Sequence, residues 1–501
     1  MEEKLAEFKK NILLWYPFKN EASLLCVGLN VQEFEDELSA NFKKISFEAP
    51  NEDEKYDYIT YIKEYDDNFS EDIKKYKDYL KEDGKLLIAI NNKFGLKNWN
   101  TTNDLNCGIS QNELKQILSE EGKYNLKFYY VYPSFTNANL IYSDDYKLTR
   151  EDITRNFYAY DPKAIVPLNE NKVYNELLKE GKECVNKFAN SFFIEISKQS
   201  IENNIKYVTF SNYRKKEYRV MTIIDDLKVY KKPADKEALK HINNIANNIE
   251  ELKKYDISMI EELKDNVIES NFLNSKRFDI ELSESANPDE FYNNFKVLKQ
   301  ILDKDLVTYE ELKEQNVELS KTIREYEQEK LCKLHFLRKA FIDLVPKNMF
   351  LINGKLNVFD QEWNEDNIPV EYIYYRAILN TSFNFEKYTM DDLFQTFRIK
   401  EYIDLFEKME KDLRDKTFDY DAYYIFFREY LGVKQAQEER EFYLEKSTRL
   451  EAENHGLNLE LEDAREQIVD YANQLRVISN STSWKIVQFF RKIFRKIFKR
   501  K

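Results

Sequence analysis

Apolar positions in the first third of the chain come in short runs separated by charged stretches with helical spacing. SLLCVG (Ser23 to Gly28), YDYITYI (Tyr56 to Ile62) and GKLLIAI (Gly84 to Ile90) are the runs, with KKISFEA as a weaker one. VQEFEDELSANF and SEDIKKYKDYL lie between them. Strands alternating with helices predict a mostly parallel α/β sheet covered on both faces. Further on, YRVMTIIDDLKVYKK predicts two strands turning at Asp225-Asp226, then a helix from about Asp235. FIDLVPKNMFLINGKLNVFDQEW, residues 341–363, reads as a helix end, a loop, a hairpin around Asn353-Gly354 and a strand ending in Asp360. Pro369 to Leu431 is aromatic-rich and helical in spacing.

The last seventy residues change period. From Tyr443 a 4,3 spacing runs through Ser447, Leu450, Asn454, Leu457, Leu461, Ala464, Ile468, Tyr471, Leu475 and Ile478, which predicts a self-associating coiled coil, dimer or trimer. Asn454 on that seam would select register. After a Ser/Thr break, Ile486, Phe490, Ile493, Phe494, Ile497 and Phe498 share one helical face, with Arg491, Lys492, Arg495 and Lys496 on the other. Such a helix, with Trp484 at its start, lies in a bilayer interface and is drawn to anionic lipid.

Composition adds three constraints. At 501 residues the chain fits about three units of ~150 residues. Its net charge of −14 argues against general nucleic-acid binding. Lys485 to Lys501 carries eight basic residues and no acidic ones, leaving 69 basic against 91 acidic elsewhere, so the tail has a partner of its own. Four scattered cysteines without CxxC spacing read as free thiols. The charged N-terminus lacks a signal segment and no run reaches the ~18 apolar residues of a membrane span, so a cytoplasmic protein is expected.

Two stretches carry chemistry. In the first, ligands of a parallel sheet sit at the carboxyl ends of its strands, which singles out Gly28 and, at the end of the second strand, Glu48 as a ribose partner. In the second, a phosphotransferase needs a strand lysine aimed at the nucleotide phosphates and a helix glutamate to orient it. Alternation along LKVYKK puts Lys231 on the face of Val229, and Glu237 is the expected orienting partner. Asp343 can orient or deprotonate an attacking hydroxyl. Asn348 and Asp360 supply hard oxygens for magnesium, with Glu362 two residues beyond. A D-x4-N with a later Asp also arises by chance in a chain this rich in Asp and Asn. The order of the parts, the V-x-K strand and the Asn-Gly hairpin are what give it weight.

Several segments resemble class I S-adenosylmethionine-dependent methyltransferases of bacterial polysaccharide clusters: ILLWYPFKNEASLLCVG, YDYITYI, YLKEDGKLLIAINNKFGLKNW and FYYVYPSFTNANLIYSDDY. The glycine-rich first motif is reduced to Gly28, and the span from Glu48 to Tyr56 is short for the usual third strand. The second region resembles the aminoglycoside-phosphotransferase and lipopolysaccharide-kinase branch of kinase-like folds. That resemblance implies Asp343 as catalytic base, Asn348 and Asp360 as metal ligands, and Lys231 with Glu237 as the phosphate pair. It departs at Phe341, where the family has His, and at FSNYRKKEYRV, which lacks the nucleotide-loop glycines; Ser211 and Arg214 are polar replacements there. STSWK before a basic apolar helix resembles the ends of surface-polysaccharide glycosyltransferases.

The expectation is an α/β and α+β multidomain chain: a trimmed Rossmann-like methyltransferase domain (1–160), a connector (161–195), a protein-kinase-like domain (196–432), a coiled coil (433–480) and a basic amphipathic helix (481–501). This order is similar to that of the bifunctional kinase–methyltransferases that cap O-antigen chains. It implies a transferase peripheral on the inner face of the cell membrane, using ATP and Mg2+ on a membrane-tethered glycan, with S-adenosylmethionine binding eroded. The alternatives are a non-catalytic scaffold of a polysaccharide-synthesis complex, or an S-adenosylmethionine-dependent methyltransferase with an inactive kinase-like domain.

Overall fold

A computed structural model describes residues 2–28, 42–47, 53–99, 108–119, 124–156, 170–381, 387–423, 450, 454–458, 461 and 464–498. The chain divides into two units, Met1–Tyr430 and Leu431–Lys501.

In the first unit, β1 (Ala22–Gly28), β2 (Phe42–Ser46), β3 (Tyr56–Ile62) and β4 (Leu80–Asn91) run parallel in the order β2-β1-β3-β4. Their apolar runs are buried on both faces: one core contains Ile59, Leu86 and Ile88, the other Leu24, Tyr58 and Leu87. β5 (Asn125–Tyr132), β6 (Leu140–Ser143) and β7 (Ser191–Ser197) extend the sheet antiparallel, with β7 between β4 and β5. The end of the expected connector lies in this sheet. Residues 191–195 are the middle of the sheet, and all seven residues of SFFIEIS are buried. The helices Glu170–Glu180 and Lys182–Lys187 precede it, and Tyr174 and Val185 join the same core.

The sheet does not stop at the expected domain boundary. β6 pairs with β8 (Tyr207–Phe210), followed by β9 (Val220–Ile224) and β10 (Lys228–Pro233). After β11 (Ser258–Met259), β12 (Glu261–Lys264) and β13 (Val267–Asn271) complete a 12-stranded sheet that runs β8-β9-β10-β13-β12 at this end. Between β10 and β12 the helix Leu239–Leu252 packs Ile242, Ile245 and Ile249 against Val220 and Ile268. It starts later than expected because residues 236–238 form a 3-10 turn.

A further core gathers the helices Pro288–Leu302, Val370–Leu379 and Ile403–Thr417. β14 (Leu306–Thr308), β15 (His335–Phe341), β16 (Met349–Ile352), β17 (Lys355–Val358) and β18 (Asn364–Pro369) form two small sheets, β11-β17-β16 and β14-β15-β18. Phe341 therefore ends a strand, not a helix. Asn353 and Gly354 have φ of +52° and +75°, the two consecutive positive values that a tight hairpin between β16 and β17 requires.

In the second unit residues 464–480 are helical, as is Thr482–Phe498. Ile468, Tyr471 and Leu475 on the expected seam are each more than 60% exposed within this unit. Tyr443 and Ser447 lie outside the described residues, as do the side chains of Lys496 and Phe498. No helix among the described residues is long and apolar enough to cross a membrane.

Candidate functional site

Lys231 is the centre of the site. Cross-strand register sets Thr209 opposite Thr222 and Thr222 opposite Lys231, so the three share one face. The Lys231 ammonium bonds the Asp360 carboxylate and lies 2.6 Å from Glu362 Oε1. Burial alone would lower the ammonium, but the Asp360 and Glu362 charges outweigh it and hold it above its ordinary value. Glu362 also bonds the Arg214 guanidinium, and His241 Nε2 is 3.5 Å away. Burial would raise its carboxyl; Arg214 and Lys231 drive it well below the usual range.

Asp360 sits on a strained turn. Its φ is +59°, uncommon outside glycine, and its N–H donates to Glu261 Oε2 at 2.9 Å. Burial pushes the Glu261 carboxyl up to about 7. Gln361 Nε2 donates to the Asp343 and Phe359 carbonyls, each at 2.9 Å, and Asn348 Nδ2 donates to the Asp343 carbonyl at 3.0 Å and the Asp360 carbonyl at 3.4 Å. Asp360 thus meets Lys231, and Asn348 braces the same turn through its main-chain carbonyls.

Asp343 lies behind them. Its Oδ2 accepts from the backbone N–H groups of Glu362 and Trp363, both at 3.2 Å, and its Oδ1 is 3.5 Å from Arg376. Burial raises its carboxyl to about 6 against the pull of Arg376. In this arrangement Asp343 holds the 360–363 turn. Glu237 does not meet Lys231: it is exposed on the 3-10 turn, and the buried face of the following helix presents His241 and Asn248 instead. Among described residues no group of three His, Cys, Asp or Glu side chains is disposed to hold a metal on its own. A metal at Asp360 and Asn348 would need oxygens from its ligand.

A cleft of about 570 Å³ opens over this network. Arg214, Lys231, Lys347 and Arg414 line it against Asp360 and Glu362, a surplus of two positive charges. Tyr207, Tyr213, Phe418 and Tyr423 form aromatic walls. The glycine-free loop 211–219 borders it and is tied down by main-chain bonds, Lys215 N–H to the Thr417 carbonyl at 3.0 Å and Asp419 N–H to the Tyr213 carbonyl at 2.9 Å. Behind the loop Arg219, 2% exposed, donates to the Arg214 carbonyl at 2.7 Å, to Glu7 at 2.8 Å and to Asp419 at 3.1 Å. Ser211 and Arg214, named above as polar replacements in the loop, line the cleft, whereas Glu261, His241 and the central place of Glu362 were not legible from spacing. The polar DQE triplet ending an apolar strand, and a histidine on a helix's apolar face, were the only signals.

Gly28, expected beside a cofactor, ends β1 against the end of β3. Its φ is +103°, and a Cβ there would come 2.1 Å from the Ile62 carbonyl oxygen. Close packing of two strand ends requires a glycine here. Glu48 and residues 29–41 lie outside the described residues. In the C-terminal unit Trp484, Phe490 and Phe494 are 38%, 54% and 57% exposed, and Arg491, Lys492 and Arg495 are also exposed.

No protein-family description and no curated protein sequence matches the chain. Among solved structures, the plantazolicin methyltransferase BpumL in complex with SAH is similar at 11% identity, over 39% of this chain and 80% of that one, with a TM-score of 0.20. A methyltransferase from Thermotoga maritima, S-adenosylmethionine-dependent and described as a possible histamine N-methyltransferase, is similar at 11% identity over 39% of this chain and 89% of that one, with a TM-score of 0.24. Likeness at this level concerns fold at most, not activity, substrate or partner.

Proposed function

We propose that the cleft over Lys231 is the active site of a magnesium- and ATP-dependent phosphotransferase that works at a membrane surface on a glycan acceptor. The observation that carries this is the meeting of Lys231 and Asp360, 129 residues apart in sequence, in one cationic cleft. Its volume is within the ~300–1,000 Å³ range of small-molecule sites. Third-strand placement of the lysine, after β8 and β9, is the arrangement kinases use.

The residues fit the group. Asp360 presents a half-exposed carboxylate, the Asn348 amide donates to the carbonyl of the same residue, and the surplus cations complement a polyphosphate. When bound, the magnesium nucleotide supplies an electrophilic phosphorus whose charge the metal screens. Lys231 holds phosphate oxygens, while Arg214, Lys347 and Arg414 offset the remaining charge. Asp343 positions the Asp360–Trp363 turn. To serve as base, as the kinase resemblance implies, its carboxyl must first release the Glu362 and Trp363 amides. The aromatic walls suit the apolar face of a sugar ring. The helix Thr482–Phe498, with an apolar face beside exposed Arg491, Lys492 and Arg495, supports peripheral attachment to anionic lipid.

A second reading is an S-adenosylmethionine-dependent methyltransferase with an inactive kinase-like part. The parallel run β2-β1-β3-β4, with strand carboxyl ends at Gly28, Ile62 and Asn91, favours it, and the solved structures named above are methyltransferases. One experiment separates the readings. The full chain is incubated with a membrane glycolipid fraction and either γ-labelled ATP with magnesium or methyl-labelled S-adenosylmethionine. Label arriving from ATP, and lost in Lys231→Met, supports the first reading. Label arriving only from S-adenosylmethionine supports the second. No label from either leaves the scaffold.

A further inference from the structure

We infer that Glu362, rather than a glutamate on the helix, is the positioning residue that holds Lys231 for a phosphate, with Asp360 as its exchangeable partner. This rests on the nucleotide reading above. The Lys231 ammonium has two carboxylate partners of unequal freedom: the side chain of Glu362 is 5% exposed, that of Asp360 42%. Glu362 is fixed from every side. One oxygen takes Lys231 and the other Arg214, with His241 alongside. Its backbone N–H donates to Asp343, and its carbonyl accepts from Asn248 Nδ2 at 3.3 Å. His241 in turn stacks on Trp363 with ring centroids 4.6 Å apart. The helix therefore faces the site with an imidazole and an amide, and Glu237, on the 3-10 turn before it, is exposed.

Charge makes the division useful. Lys231 and Arg214 are balanced by Asp360 and Glu362, so the cluster as it stands offers a phosphate no net charge. A divalent cation taking the half-exposed Asp360 carboxylate frees one positive charge at Lys231. Glu362 cannot follow the cation, because Arg214 and the buried surroundings keep it in place, so the ammonium stays aimed at the cleft. Phosphate affinity is then coupled to the metal through Lys231.

The test measures binding to the full chain: Mg·ATP by calorimetry, and adenosine by saturation-transfer NMR, for wild type, Glu362→Gln, Glu362→Asp and Glu237→Gln. Removing one charge-assisted bond predicts that Glu362→Gln weakens Mg·ATP about tenfold to a hundredfold. Adenosine, which has no phosphate, should change by less than about twofold, since the lysine acts on phosphate alone. Glu362→Asp keeps the charge but shortens the reach, should weaken Mg·ATP by less than Glu362→Gln while leaving adenosine unchanged, and carries the test alone where Glu362→Gln does not fold. Equal losses for ATP and adenosine mean a merely structural role and overturn the inference. So does a loss in Glu237→Gln as large as that in either Glu362 variant. Wild type that binds Mg·ATP, with both Glu362 variants matching it, sinks this inference and leaves the nucleotide reading standing. Wild type that binds no nucleotide removes both.

Discussion

Arg219→Met asks how much the first residues of the chain contribute to the cleft. Arg219 immediately precedes β9, and its guanidinium is shared by Glu7, Asp419 and the Arg214 carbonyl, with Asp235 3.7 Å away and the Phe8 ring centroid at 4.8 Å. Methionine keeps most of the stem volume and removes the charge. Breaking a buried pair from one side costs about 3–5 kcal/mol. Here the figure is reduced, because Glu7 is 26% exposed and Asp419 and Asp235 retain Lys4 and Lys10 at 2.5 and 2.6 Å. A loss of ~2–3 kcal/mol remains, which for amides opening locally accelerates hydrogen exchange about 30- to 150-fold. The acceleration should appear at residues 11–14 and 220–224, and less in β4. pH gives a second sign. Burial raises the Glu7 and Asp419 carboxyls, and their cationic partners more than offset it, so both lie below the ordinary value when folded. Their stabilisation is present above about pH 4 and is lost as pH falls through the depressed values, so acid should loosen wild type more than Arg219→Met. Mg·ATP binding should also weaken, since the Arg214 carbonyl loses its donor. An acceleration under about threefold, or one equal in β4, would refute this reasoning.

Gly28→Ala should lower the unfolding midpoint by the equivalent of more than about 2 kcal/mol, read by thermal melting, because the new Cβ meets backbone at a positive φ. Phe494→Glu should weaken sedimentation with anionic vesicles about tenfold or more, by losing a buried aromatic and adding repulsion. Raised salt should weaken wild-type vesicle binding as well. Leu475→Asn, on the exposed apolar seam of 464–480, should shift sedimentation-equilibrium mass toward the monomer if that face meets a second copy.

The parallel strands were legible because continuous apolar runs such as YDYITYI have few other uses. β7 was missed since Glu195 interrupts its pattern; that carboxylate is buried beside Lys85 at 2.5 Å and Asn203 at 3.2 Å, partners far away in sequence or across a turn. Lys231 could be chosen over Lys232 because alternation puts it on the face of the small apolar Val229, and Lys232 on that of Tyr230. The partner of Lys231 could not be chosen, because whether Glu237 or Glu362 reaches the ammonium depends on where the helix starts and how the 360–363 turn is braced. Gly28 is ambiguous for a related reason: close backbone approach requires glycine whether the neighbour is a cofactor or a strand end such as Ile62. The continuity of the sheet through β6 and β8 depended on pairing between segments that each read equally well as a domain edge.

The most direct test of the central claim is calorimetric titration of ATP into the full chain, with and without magnesium, for wild type and Asp360→Ala. The account predicts magnesium-dependent binding to wild type that Asp360→Ala loses. No binding by the folded wild type, or equal binding by both proteins, contradicts it.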